Sequence, residues 1–155
     1  MPKQVNQAQL SIGQSLYAKA VIIDTGALIA LANSRDSNHS EASKCLKLIA
    51  KNHFPLYISI PTIYESQRRI LFDLGQIASN FFLNRVYDGS LNIERTMDED
   101  EQQARTLINK YDALELTLTD AVNMSVMMRL GIATAFSFDR HYLQAGFIRI
   151  PHFHY

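Results

Sequence analysis

With 155 residues, 47% apolar and 19% charged, the chain has the size and balance of one globular domain able to bury a core without disulfide or zinc staples. Its 15 basic and 15 acidic residues cancel, which argues against a protein that holds nucleic acid by bulk positive charge. The single cysteine, Cys45, rules out an intrachain disulfide and a thiolate metal site, and its apolar helical surroundings read as simple packing.

Residues 1–19 are polar and Gln-rich, with no apolar run of the kind a signal peptide needs. They read as an N-terminal extension to a domain spanning residues 20–155. No stretch approaches the ~18 continuous apolar residues of a membrane span, so the expected location is the cytoplasm. Ala20 to Asp24, AVIID, reads as a strand buried on both faces, as in a parallel sheet. Thr25 to Asn33 is rich in Ala and Leu and reads as a helix or a tight turn into one. After the polar loop SRDSNH, the residues Ala42, Cys45, Leu46, Ile49 and Ala50 recur at helical spacing. Leu56 to Ile60 is a second strand. Pro61 then sits where a helix begins, and that helix stops near Gly75. Ile77 to Val86 predicts another helix, and Leu91 to Arg95 a third strand. Asp98 to Tyr111 opens with acids, which suit the positive end of a helix. Thr117 to Leu130 is a helix with Asp120 in its first turn. Ala133 to Phe138 predicts a fourth strand and Phe147 to Ile150 a fifth. Strands alternating with helices predict an α/β fold, a central parallel sheet flanked by helices on both faces.

The carboxylates carry the chemical information. Asp24 follows the first strand and Asp139 the fourth. Asp120 stands at a helix start, and Glu65 lies in the first turns of the helix after the second strand. All four fall at strand carboxyl ends or helix N-termini, the rim where open α/β sheets bind ligands. Four acids on one rim repel one another and raise one another's pKa, unless a cation sits among them. Mg²⁺ or Mn²⁺ suits such a set, since hard cations take carboxylate and water oxygens. These ions support phosphodiester hydrolysis. Each acid also has a plainer reading: Asp120 as a helix cap, Glu65 as a solvated helix residue, Asp139 as the start of a turn.

VIIDTGALIALAN, the loop ending SNH, PTIYES, LTLTDAVN and AFSFDRHYLQAGF, in that order, resemble the successive motifs of PIN-domain ribonucleases. The likeness is greatest to VapC-type toxins of toxin–antitoxin pairs, and it runs from about Ala20 to about Ile150. It implies a Mg²⁺- or Mn²⁺-dependent endoribonuclease with RNA as substrate, a homodimer, and a small antitoxin protein as partner. It places Asp24, Glu65, Asp120 and Asp139 on the catalytic, metal-binding positions, with Thr25 and Ser137 as supporting hydroxyls. His39 falls where the family often has a histidine, and it reads as structural. Arg68, Arg69, Arg140 and His141 read as surface charge near the acids, and His152 and His154 as part of a tail.

Other classes fare worse. Asp24-Thr25-Gly26-Ala27 resembles an aspartic protease signature, but that fold is all-β and glycine-rich, whereas six glycines occur here and helix follows Gly26. A haloacid-dehalogenase-like phosphotransferase wants a second Asp at position 26, which is Gly. The remaining alternative is a catalytically inactive PIN-fold module that binds RNA or protein.

Overall fold

Val21–Ile23 (β1) is a run of three fully buried residues at the centre of the sheet. The computed structural model describes residues 19–152, so nearly all of the N-terminal extension, and His154, lie outside the described residues. Chain order continues with helix Thr25–Ala32 (α1), helix His39–Lys51 (α2), strand Leu56–Ser59 (β2), helix Ile60–Leu74 (α3) and helix Gln76–Val86 (α4). Then come strand Asn92–Glu94 (β3), helix Asp98–Lys110 (α5), a 3-10 turn Asp112–Leu114, helix Leu118–Leu130 (α6), strand Thr134–Phe136 (β4), helix His141–Gln144 (α7) and strand Ile148–Ile150 (β5).

The sheet order is β3-β2-β1-β4-β5, and every pairing is parallel. The chain steps outward from β1 to β3, then returns to place β4 on the other side of β1. Neighbouring strands β1 and β4 therefore mark the point where strand order reverses, and their carboxyl ends open a crevice. Alternate strand residues face opposite sides. Val21, Ile23 and Phe136 join the core beneath α1–α4, while Ile22 and Ala135 join the core beneath α5–α7. The parallel sheet and the seven helices among the described residues meet the α/β expectation and remove the all-β protease reading.

Capping explains where the helices start. Asp24 and Ser59 cap α1 and α3, accepting from the backbone N–H of Ala27 and Thr62. Thr117, not Asp120, caps α6, and Gly131 ends that helix in the left-handed conformation, φ 73°, that a residue without Cβ adopts most easily. The fourth strand is shorter than the predicted Ala133–Phe138. Ser137 N–H still bonds Ile150 O at 3.0 Å, but Ser137 Oγ then accepts from Asp139 N–H at 2.9 Å and turns the chain out of the sheet. Asp139 therefore stands on the loop after β4 rather than at its end.

His39 Nδ1 lies 2.8 Å from Ala30 O, tying the start of α2 to α1. Cys45 is packed in the core, where burial pushes its thiol up to about 11. Replacing His39 with Ala is expected to cost about 1 kcal/mol, the net worth of one hydrogen bond. A lower urea midpoint with unchanged slope would show it. Among the described residues no helix is long and apolar enough to cross a membrane.

Candidate active site

The acids meet at the crevice between β1 and β4. Asp24 leaves β1 with its backbone N–H bonded to Phe136 O at 3.1 Å, so the ends of the two strands are held together. The residue is only 4% exposed. Oδ1 accepts from Ala27 N–H at 3.0 Å, and Oδ2 accepts a short hydrogen bond from Ser137 Oγ. Ser137 thus links two acids: its hydroxyl donates to Asp24 and accepts from the Asp139 backbone. Asp139 Oδ1 accepts in turn from His141 N–H at 2.9 Å, opening α7.

One oxygen each of Asp120 and Asp139 and one ring nitrogen of His141 lie within 4.8 Å of one another. His141 Nδ1 is 3.1 Å from Asp139 Oδ1. Asp120 reaches this point from the first turn of α6, where its backbone N–H donates to Thr117 Oγ1 at 3.1 Å. Glu65, half-buried on α3, is close enough for its charge to act on Asp120. Four elements far apart in sequence therefore bring the four predicted acids within reach of one another's charge, with Asp24 and Glu65 outside the 4.8 Å group.

The electrostatics record how tightly they are drawn together. Burial, helped by the charges of Asp120 and Asp139, pushes the Asp24 carboxyl up to about 7 against the Ser137 and Ala27 hydrogen bonds. Burial also raises Asp120; Asp139 and Glu65 add to the rise, while the Thr117 hydroxyl and His141 oppose it. A divalent cation would relieve both. The donor set suits a hard ion: carboxylate oxygens, one imidazole, and no thiol, since Cys45 lines a separate apolar groove with Leu48, Phe54 and Pro151. Thr25 Oγ1, buried beside Asp24, has no hydrogen-bond partner among the described residues. A buried hydroxyl in that state is unusual, and an incoming ion or water would give it one.

Sequence reading placed His141 on the surface. The structure puts it against Asp139 with its side chain 22% exposed. Its place two residues after Asp139 in FDRH was the available signal. Arg140 and Arg69 are exposed, as expected, and Arg68 lies over the Phe72 ring at 5.5 Å.

The family model of the PIN domain matches residues 21–148. Among curated relatives, the 23S rRNA-specific endonuclease VapC20 of Mycobacterium tuberculosis is 22% identical, covering 84% of this chain and 97% of its own. Ribonuclease VapC26 of the same organism is 24% identical, covering 81% of this chain and 90% of its own. The crystal structure of VapC20, described as a sarcin-ricin loop cleaving toxin, superposes with a TM-score of 0.75 at 24% identity, over 83% of this chain and 97% of that one. VapBC2 of Rickettsia felis, bound to a DNA fragment from its promoter, superposes at 0.64 with 16% identity, over 84% and 96%.

Proposed function

Because this chain belongs to the PIN domain family, we propose that it is a Mg²⁺- or Mn²⁺-dependent endoribonuclease that hydrolyses RNA phosphodiester bonds at the Asp24, Glu65, Asp120 and Asp139 cluster. The observation that carries this reading is the convergence of these four acids on the crevice where strand order reverses. In it, Asp24, Asp120 and Asp139 hold the cation, and Glu65 completes the acidic wall on the α3 side. When bound, the cation supplies Lewis acidity, which offsets phosphate charge and makes water easier to deprotonate.

The chain's own residues do the rest. Ser137 and the Ala27 N–H fix both oxygens of Asp24, so that carboxylate presents its remaining lone pairs in one direction. His141 and the turn at Asp139 fix the second carboxylate. Thr25 offers a hydroxyl at the base of the site. Exposed Arg140, next to Asp139, is placed to meet an RNA phosphate from outside.

The named activities of VapC20 and VapC26 support RNA as substrate, and their toxin class supports a role as the toxin of a toxin–antitoxin pair. A homodimer and a small antitoxin are the partners this role implies. The surface agrees with a partnered protein: Tyr64, Phe72, Ile77 and Phe81, on α3 and α4, stay between 68% and 89% exposed.

The test is cleavage of a mixed RNA pool with Mn²⁺ or Mg²⁺, with and without EDTA, alongside Mn²⁺ titration calorimetry. We expect metal-dependent cleavage that Asp120→Asn abolishes while the protein stays folded. Because Asp24 is partly protonated near pH 7, Mn²⁺ binding should release protons and tighten as pH rises from 6 to 8. Mn²⁺ binding without cleavage of any RNA would favour the binding-module alternative. Absence of both would overturn the reading.

A further inference from the structure

Beneath the acids lies a second set of polar side chains, and none of it reaches solvent. Ser59, Thr62, Asn123 and Tyr142 are each 0% exposed. Asn123 is the hub. Its Oδ1 accepts from Ser59 Oγ at 2.5 Å and lies 3.2 Å from Thr62 Oγ1. Its Nδ2 donates to Thr62 Oγ1 at 3.0 Å and to the Tyr142 hydroxyl at 3.2 Å. The Ser59 and Thr62 hydroxyls are 3.0 Å apart and close a ring. The Tyr142 hydroxyl uses a lone pair toward Asn123 and keeps its proton, held there by burial and by the charges of Asp24, Asp120 and Asp139. It is therefore bonded to the ring and near enough to the acids to feel their charge.

Three of the four members lie three residues along the chain from an acid of the site. Thr62 precedes Glu65 by three residues on α3. Asn123 follows Asp120 by three on α6. Tyr142 follows Asp139 by three and His141 by one. Three residues of helix rise about 4.5 Å, so on α3 and α6 the ring ties the helices together within one turn of the carboxylates. This is where mutual repulsion of the acids would push the elements apart. An all-apolar interior of the same shape would be about as stable. What a satisfied polar ring adds is direction: its hydrogen bonds have one length and one orientation, whereas apolar packing tolerates small slides. A metal site needs that, because its donor distances are held to within about 0.2 Å.

We propose that Asn123 is a positioning residue of the site, locking α3, α6 and α7 through Thr62 and Tyr142 at the separations at which Asp120 and Asp139 share one divalent cation with Glu65 beside them. The inference rests on the metal-dependent reading above and extends it to side chains that touch neither ion nor RNA.

The experiment is Mn²⁺ binding by the full chain, measured by calorimetry and by the Mn²⁺ electron paramagnetic resonance spectrum, for wild type, Asn123→Leu, Tyr142→Phe and the double variant. Asn123→Leu should weaken Mn²⁺ binding about tenfold or more, the usual effect of losing a group that orients ligands. It should also broaden the bound-ion spectrum. Tyr142→Phe, which leaves the ring intact, should weaken binding about threefold, a part of the same effect. The double variant should be no worse than Asn123→Leu, because the two side chains act through each other. Wild-type affinity and spectrum in folded variants, with only the melting temperature lowered, would overturn the inference and leave the ring as core packing. Should Asn123→Leu fail to fold, Tyr142→Phe decides alone. A wild type that binds no Mn²⁺ would instead overturn the nuclease reading, and this inference with it.

Discussion

Asp24→Asn should abolish metal-dependent RNA cleavage, by at least about a thousandfold as for loss of a group that acts on developing charge, and at the same time make the metal-free protein harder to unfold at pH 8. The two effects share one cause. The Asp24 carboxyl is at about 7 in the folded protein against 3.8 for an ordinary aspartate. Between these values the folded chain holds a proton that the unfolded chain has lost. Stability therefore falls as pH rises from about 4 through 7, and above 7 the full cost of a buried, repelled carboxylate remains. Asparagine removes the charge and keeps the cap on Ala27, since Asn caps helices as well as Asp. We expect a gain of about 1–2 kcal/mol in EDTA at pH 8, roughly 3–6 °C in melting temperature, shrinking toward nothing near pH 4. Saturating Mn²⁺ should reverse the order. At a hundred times its Kd the ion stabilises wild type by about 2.7 kcal/mol, and the variant by much less. Thermal melts at pH 4, 6 and 8, with and without Mn²⁺, check all of this. A variant that is inactive and also less stable in EDTA at pH 8 would mean that Asp24 is a structural cap and not a repelled ligand.

How much of this was visible in sequence follows from the range of each interaction. β1 could be read because a strand buried on both faces must be a short apolar run, and AVIID is one. Asp24 could be read because a charge directly after such a run needs a reason. The fourth strand was read too long because Phe138 looks as apolar as Phe136. The chain leaves the sheet through a hydroxyl bond, Ser137 Oγ to Asp139 N–H, that hydrophobic pattern does not register. Asp120 was weighed as a cap, but the cap is Thr117, and Asp120 at the third helical position is thereby free to face the site. Asn123 was passed over as one more residue of TLTDAVNMSVMMRL. Its partners are 61 and 64 residues away in Thr62 and Ser59, and no local spacing rule reaches that far. The same holds for His141, whose neighbourhood to Asp120 depends on how α6 lies against β4.

A second long-range feature lies at the opposite end of α6, and it carries the largest expected effect on stability. Arg129 Nε donates to Asp100 Oδ1 at 2.8 Å and its NH2 donates to Asp100 Oδ2 at 2.9 Å, a two-pronged pair, while the same NH2 reaches Glu94 Oε1 at 2.9 Å. Asp100 is 2% exposed and Arg129 25% by side chain. Burial alone would raise the Asp100 carboxyl, but Arg129 and the Met97 N–H outweigh it and hold it below the usual range. Arg129→Ala leaves that carboxylate buried without its partner, and the expected loss is about 3 kcal/mol, roughly 6–12 °C in melting temperature. Lysine should recover only part, because a single ammonium cannot match both oxygens. Since Asp100 is depressed, the pair's stabilisation is present above the ordinary carboxylate value of 3.8 and lost as pH falls through the lower folded value. The gap between wild type and Arg129→Ala should therefore close as pH falls below the ordinary carboxylate range. Adding Asp100→Asn to Arg129→Ala should restore part of the stability at pH 7, by removing the stranded charge while keeping the bond to Met97. Cleavage per folded molecule should stay at wild-type level, because Arg129 stands nine residues, about 13 Å of helix, from Asp120. A loss of cleavage in the folded protein would instead show that the clamp transmits along α6 to the acids. Equal melting temperatures at pH 7 would show that water already screens the pair.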